Sequence, residues 1–332
     1  MMDRRAFIAV VCGSMLAKSL AVEGQQAERL RRIGVLMGYA ETDPDAQANV
    51  EAFREGLQKL GWVDGRNVRI DIRWPIPADL ESMQRFAKEL VALEPDVLLS
   101  HITPTTAALL KHTQTIPIVF ATVSDPVGSG FVASFQRPGG NVTGFTSIEP
   151  TMSGKWLQLL KEIAPRVVRV AFLFNPATAP YSKYFLNPLN AAALSVGVKA
   201  IAAPVDDTSA LNSVVAAEAR QRNSGLIVCP DSFMDVHRAE VALLVARYRL
   251  PAVYPFRQFP EVGGLLSYGN DQRDNYQRAA VYVDRILRGA KPLELPVQAP
   301  VKFELVINLK TAKALNLTIP QSMLSQANQV ID

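Results

Sequence analysis

Val97-Leu98-Leu99-Ser100 and Ile116-Pro117-Ile118-Val119-Phe120 are two short, fully apolar runs separated by a helical segment that opens at Thr103-Pro104. A strand with no polar face is buried on both sides, and such strands alternating with amphipathic helices form a parallel sheet covered on each face. Upstream, Ile33-Gly34-Val35-Leu36-Met37 has the same character and ends at Gly38-Tyr39, where the backbone turns. Thr42-Asp43-Pro44 then supplies a cap and a first-turn proline, Phe53, Leu57 and Leu60 recur at helical spacing, and Gly61 closes the helix. Val68, Ile70, Ile72 and Trp74 alternate with Arg69, Asp71 and Arg73, the pattern of a strand with one wetter face near a sheet edge. A helix through Leu80, Met83, Phe86, Leu90 and Leu93 completes the series.

The rhythm restarts after Gly139-Gly140-Asn141, with a helix around Trp156 to Ile163 and a strand at Val168 to Phe174. Further strands are expected at Val198 to Val205, Gly225 to Val228, Ala252 to Tyr254 and Leu265 to Tyr268. This is more than one open sheet usually carries, and the break near residues 140–150 divides the chain into halves alike in element order, though not in residue-level repeat. The expectation is an α/β protein of two Rossmann-like, doubly wound parallel-sheet lobes facing each other across a cleft. The length and a hydrophobic content of 48% supply a large core and favour two domains.

Ligands of open parallel sheets bind beyond the carboxyl ends of the strands, so the residues just after each apolar run are the candidates. These are Gly38 and Tyr39, then Ser100, Thr103, Thr105 and Thr106, then Thr122, Ser124 and Asp125. The second half contributes Asn175, Tyr181 and Tyr184, Asp231 and Phe233, and Tyr268 and Gly269. Thr103-Pro104-Thr105-Thr106 is the sharpest: proline at the first helical position leaves free amides and two outward hydroxyls, a holder for a carboxylate. The plainer reading is that Thr103 only caps its helix. Asp125 before Pro126 is an anchor for a ligand ammonium or simply a turn former, and the tyrosines are stacking surfaces or rim packing.

A catalytic set is missing. The three histidines, His101, His112 and His237, form no metal-ligand pair, there is no Gly-x-Ser-x-Gly, and Gly128-Ser129-Gly130 lacks the third glycine of a dinucleotide fingerprint. No cofactor, metal or enzymatic activity is expected. A formal charge of +4 without basic runs after Arg32 gives no nucleic-acid footprint. The start, Asp3-Arg4-Arg5-Ala6-Phe7 followed by a short apolar stretch, reads as an export signal of the general or twin-arginine type, cleaved near residue 24. That places the protein in the periplasm and leaves Cys229 without a partner for a disulfide.

Ile116 to Gly128, followed by Arg137-Pro138-Gly139-Gly140-Asn141-Val142-Thr143-Gly144, resembles the ABC-transporter substrate-binding family that includes tryptophan- and tyrosine-binding proteins. Gly263 to Gly269 and the tail Ile307 to Pro320 match as well, so the resemblance runs through nearly the whole mature chain. It implies a type I periplasmic-binding fold, with lobe 1 from residues 29–146 plus about 270–300, lobe 2 from 147–269, and the placement of 301–332 open. It implies a monomer that closes on a small solute, with an aromatic amino acid the leading candidate and small carboxylates behind it, and delivers that solute to a membrane permease. Carried over by position, Thr103, Thr105 and Thr106 hold a carboxylate, Asp125 an amino group, and Asn175, Asp231 and Tyr268 close from the second lobe. Asn175-Pro176-Ala177-Thr178-Ala179-Pro180-Tyr181 departs from the relatives' Asn-Pro-Gly-Glu-Ala-Asn-Ser, so the contact of this second-lobe segment with the ligand is expected to be remodelled. A periplasmic sensing subunit that presents its closed form to a receptor has the same sequence features.

Overall fold

The computed structural model describes residues 30–332, so the expected export signal over residues 1–24 lies outside the described residues. The first half runs β1 (Arg31–Leu36), α1 (Pro44–Lys59), β2 (Val68–Arg73), α2 (Leu80–Ala92), β3 (Val97–Ile102), α3 (Thr103–Leu110), β4 (Ile118–Val123) and β5 (Val142–Thr146). Its strands form one parallel sheet in the order β2-β1-β3-β4-β5. Every residue of β3 and β4 is buried, as their unbroken apolar runs require, whereas β2 is only partly covered and lies at the edge its alternation predicts.

The second half runs α4 (Met152–Ile163), β6 (Arg169–Phe174), α5 (Ser182–Ser195), β7 (Lys199–Pro204), α6 (Thr208–Ala219), β8 (Ser224–Val228), α7 (Ser232–Val236), α8 (Arg238–Arg247), β9 (Ala252–Tyr254), α9 (Gln258–Glu261) and β10 (Leu266–Asn270). After it come α10 (Gln272–Leu287), β11 (Phe303–Asn308), α11 (Leu309–Ala314), α12 (Gln321–Gln326) and β12 (Gln329–Ile331). The second sheet has the order β12-β11-β10-β9-β8-β6-β7 and is parallel apart from the β10–β11 pair. Residues 301–332 therefore add two strands and two short helices to this sheet.

Each sheet is packed on both faces, which makes both lobes doubly wound. In the first, Val35, Leu99 and Val119 meet Phe53 of α1 and Tyr276 and Val283 of α10, while Leu36, Leu98 and Phe120 face Met83 and Leu109 of α2 and α3. In the second, Phe172 and Ile227 meet Trp156 and Phe185 on one side, and Leu173 and Val228 meet Leu211 and Val241 on the other. Three stretches cross between the lobes: the exit from β5, the step from β10 into α10, and residues 298–303. They are tied by Thr146 N to Gln298 O at 2.9 Å and Asp271 N to Lys302 O at 3.1 Å.

α10 lies against α1 at very short range. A Cβ on Gly56 of α1 would stand 2.7 Å from the Cβ of Ala280, so this glycine is required by the helix-helix approach.

Candidate functional site

Strand order reverses in each sheet at one place, β1/β3 in the first and β6/β8 in the second. A crevice opens there because the connections leave in opposite directions. The two switch points face each other, and the space between them has two parts. A chamber of about 710 Å³ is lined by Leu80, Glu81 and Gln84 of α2, Thr103, Pro104, Ala107 and Lys111 around α3, and Asp125, Gly128, Ser129 and Phe131 after β4. The second lobe covers it with Ala177, Pro180, Tyr181, Lys183 and Tyr184. A neck of about 20 Å³ continues inward between Tyr39, Thr103, Thr122, Ser124 and Ser147 on one wall and Tyr181, Pro230, Asp231, Ser232 and Asp235 on the other.

The lobes touch across this cleft. Tyr39 Oη donates to Asp235 Oδ2 at 2.7 Å, and Arg238 of α8 donates to Asp43 Oδ2 at 2.8 Å. Asp43 also serves its own helix, since its Oδ1 caps α1 by accepting from Asp45 N and Ala46 N, both at 3.0 Å. Burial pushes Asp235 up to about 8. Burial raises Asp231 too, to about 6, against the pull of its hydrogen bonds from Thr178, Asn175 and Phe233. Loss of water drives His101 down to about 3, so it is neutral; its Nδ1 accepts from Gly38 N at 3.2 Å and Tyr39 packs edge-on against it.

Of the residues singled out by sequence, Tyr39, Thr103, Thr122, Ser124, Asp125, Tyr181, Tyr184 and Asp231 line the cleft. The helix start after β3 is built differently from the expectation. Pro104 is the second helical residue, and Thr103 is no cap: its hydroxyl accepts from Ser124 N at 3.1 Å and donates to Ser124 O at 3.3 Å, stapling the corner to the end of β4. The hydroxyls of Thr105 and Thr106 point inward, not outward. Both residues are fully buried, bonded to Ser100 Oγ at 2.9 and 2.7 Å and to Ile102 O, because a polar group under a sheet satisfies itself on the nearest backbone. Ser100 is consumed in the same network.

Gly38 is a packing glycine, since a Cβ there would strike the Ile102 side chain. Asn175 faces its own loop, where Oδ1 accepts from Ala177 N at 2.8 Å and Nδ2 donates to Asp206 O at 3.0 Å. Tyr268 and Gly269 line neither cavity. The Tyr268 ring stacks on Phe303 and its carbonyl accepts from Trp156 Nε1 at 2.7 Å, while Gly269 passes so close to the Pro255 carbonyl that no Cβ fits. Asp125 sits at φ +44°, a conformation rare for residues other than glycine, and holds it by accepting Gly128 N at 2.8 Å on Oδ1. It is a turn former whose carboxylate also reaches the chamber.

Sequence reasoning missed Ser147, Ser232, Asp235, Lys111 and Lys183. For Asp235 the signal was present: Asp231 and Asp235 are four residues apart, the spacing that puts two side chains on one helix face. Among the described residues no group of three or more His, Cys, Asp or Glu is placed to hold a metal, and no helix is long and apolar enough to cross a membrane.

Comparison with known proteins follows the same lines. The profile of a family described as ABC transporter substrate binding protein matches residues 40–331. A tyrosine-binding protein of Clostridioides difficile is 23% identical over 92% of this chain and 87% of its own. A structure of an ABC domain in complex with L-Trp from Streptococcus pneumoniae is 28% identical, with a TM-score of 0.83, over 91% of this chain and 99% of that one. A conserved domain protein from Vibrio cholerae, also 28% identical with a TM-score of 0.83, covers 91% of this chain and all of its own. The two-lobed architecture is the type I periplasmic-binding fold.

Proposed function

Because the chain belongs to the family of ABC transporter substrate binding proteins, we propose that it is the extracytoplasmic solute-binding component of an ABC importer. In this reading it captures a free amino acid, with an aromatic one the leading candidate, and passes it as a monomer to a membrane permease. Residues 1–24 serve as the export signal, residues 29–146 with about 270–300 form the first lobe, and 147–269 with the C-terminal strands form the second.

The observation that carries this reading is the convergence of both switch points on one cleft. A volume of about 710 Å³ lies within the range of about 300–1,000 Å³ typical of small-molecule sites, and its lining combines apolar and aromatic side chains with Glu81, Gln84, Lys111, Asp125 and Lys183. Tyr184, Tyr181 and Phe131 supply faces for an aromatic body, and the L-Trp complex and the tyrosine-binding relative favour the same solute class. Thr103, Ser124 and Asp125 edge the passage where a polar head would lie.

Function then follows from mechanics, without a covalent step. An open form samples closure, and a solute touching both lobes stabilises the closed form by its differential affinity for it. The permease reads closure. A thermal-shift screen of the mature chain from Gln25 against amino acids and small organic acids tests the proposal, since a ligand of the folded form at about 100 times its Kd stabilises by about 2.7 kcal/mol. An aromatic amino acid is expected to give the largest shift. Absence of a shift with every amino acid, or chemical conversion of a bound one, would remove it.

A further inference from the structure

The neck is a small site lined by buried oxygens. Its volume of about 20 Å³ accommodates one water-sized group, since a cavity admits a single water at about 10–15 Å³. No Lys or Arg lines it. Two buried polar atoms on its second-lobe wall have no hydrogen-bond partner, Oδ1 of Asp235 and Oγ of Ser232, in residues 7% and 4% exposed. Buried polar atoms without a protein partner are met by water, an ion or a ligand group of matching size.

Building on the solute-binding reading, we propose that the neck is an ammonium socket. The solute carries a primary amine whose ammonium group enters between the lobes and donates to Asp235 Oδ1 and Ser232 Oγ, while the rest of the molecule lies in the chamber. An ammonium is about the size of a water, has three donors and no acceptor, and meets here two unpartnered oxygens and one carboxylate charge.

The two rival carboxylates are already engaged. Asp231 accepts Asn175 N at 2.6 Å on Oδ2, and the Thr178 hydroxyl and Phe233 N on Oδ1, so it braces the loop after β6. Asp125 lines the wide chamber rather than the neck, and one of its oxygens holds Gly128 N. Asp235 uses only Oδ2, for Tyr39 of the opposite lobe. An amine bound at its other oxygen therefore shares a carboxylate with a contact made between the lobes.

Electrostatics agree. Asp235 faces Tyr39 and Asp43 from the first lobe, Asp231 from its own helix and Arg238 from the next, and burial drives it toward the neutral acid. A cation in the neck reverses that drive and restores the carboxylate.

Calorimetric titration decides the matter, using each of the standard amino acids and its des-amino acid, for example L-tryptophan against 3-indolepropionate. The amine-bearing member of the pair that binds is expected to be tighter by about 100-fold or more, because a site built to pair an NH group rejects the analogue lacking it. Asp235→Asn, nearly isosteric, is expected to weaken the amine by roughly 10- to 100-fold without changing the affinity of the des-amino acid, and Ser232→Ala by roughly tenfold. Should Asp235→Asn fail to fold, Ser232→Ala and the wild-type amine comparison carry the test. Equal affinity for both members of a pair, or unchanged amine affinity in the variants, would overturn the socket while leaving solute binding intact. Binding of no probe would remove the amino-acid reading and the socket with it.

Discussion

The neck and the chamber are parts of one cleft but recognise by opposite means. The neck, about 20 Å³, is walled by buried hydroxyls and carboxylates, and the chamber, about 710 Å³, by aromatic and aliphatic side chains interspersed with Glu81, Gln84, Lys111, Asp125 and Lys183. A small polar volume reads one functional group, since any molecule that fails to pair its lining leaves buried groups unsatisfied. A large apolar volume reads bulk and tolerates variation, because one methylene changes affinity by only about 1–3 kcal/mol. On the proposed reading the head group and the body of the solute are selected by separate residues and can be altered separately.

A change of pH should separate neck from chamber most strongly. In the closed cleft burial holds Asp235 at about 8, and to the extent that opening rehydrates it toward the ordinary carboxylate value near ~4 the closed form binds the extra proton. Acid therefore favours closure of the empty protein, and the closed fraction falls as pH rises toward 8, by at most about tenfold per unit for one proton. Small-angle scattering between pH 5 and 8.5 reads the opening as a larger radius of gyration, to be lost in Asp235→Asn. A radius independent of pH in the parent protein would mean that the neck does not change its hydration on closure.

Next in size is the chamber itself. Tyr184→Ala removes one aromatic wall, and at about 1.5–3 kcal/mol for a buried side chain the affinity for aromatic solutes is expected to drop by roughly 10- to 100-fold. The loss should be the same with and without an amine on the solute. If it followed the amine, the division between neck and chamber would collapse.

A weaker perturbation belongs to neither part. Arg238→Gln breaks the ion pair to Asp43, whose side chains are 19% and 11% exposed, and leaves Asp43 Oδ1 to cap α1. With a partly buried charged hydrogen bond worth about 1 kcal/mol after screening, every solute should bind about threefold to tenfold more weakly. A change in the ranking of solutes would show that Arg238 takes part in recognition.

Much of this architecture was legible in the residues. The unbroken apolar runs at β3 and β4 announced strands buried on both faces, and the alternation at β2 announced an edge. β5 was harder to read because Thr143 and Gly144 interrupt its apolar character, and β12 is three residues long. The walls of the cleft followed from the rule of strand ends, which found Tyr39, Thr103, Ser124 and Asp231. The same rule failed where the chain turns its polar groups inward, at Thr105 and Thr106, and at β10, which lies beyond the switch point and runs on into the crossing to α10. Asp235 escaped notice because it lies one helical turn past the strand end, and its free oxygen is apparent only once Tyr39 is seen to occupy the other.

Neither lobe is a continuous stretch of chain. The first borrows Tyr276, Ala280, Val283 and Leu295 for its core, and the second borrows Leu305, Ile307 and Met323. During synthesis from the N-terminus, a chain that has reached residue 270 has made ten of the described strands yet can complete neither core. The loop from Phe53 to Tyr276 must close before the first sheet is sealed, at an entropic cost that grows with its length. Both cores are therefore sealed only by segments made after residue 270, so the last fifth of the chain is what finishes each lobe.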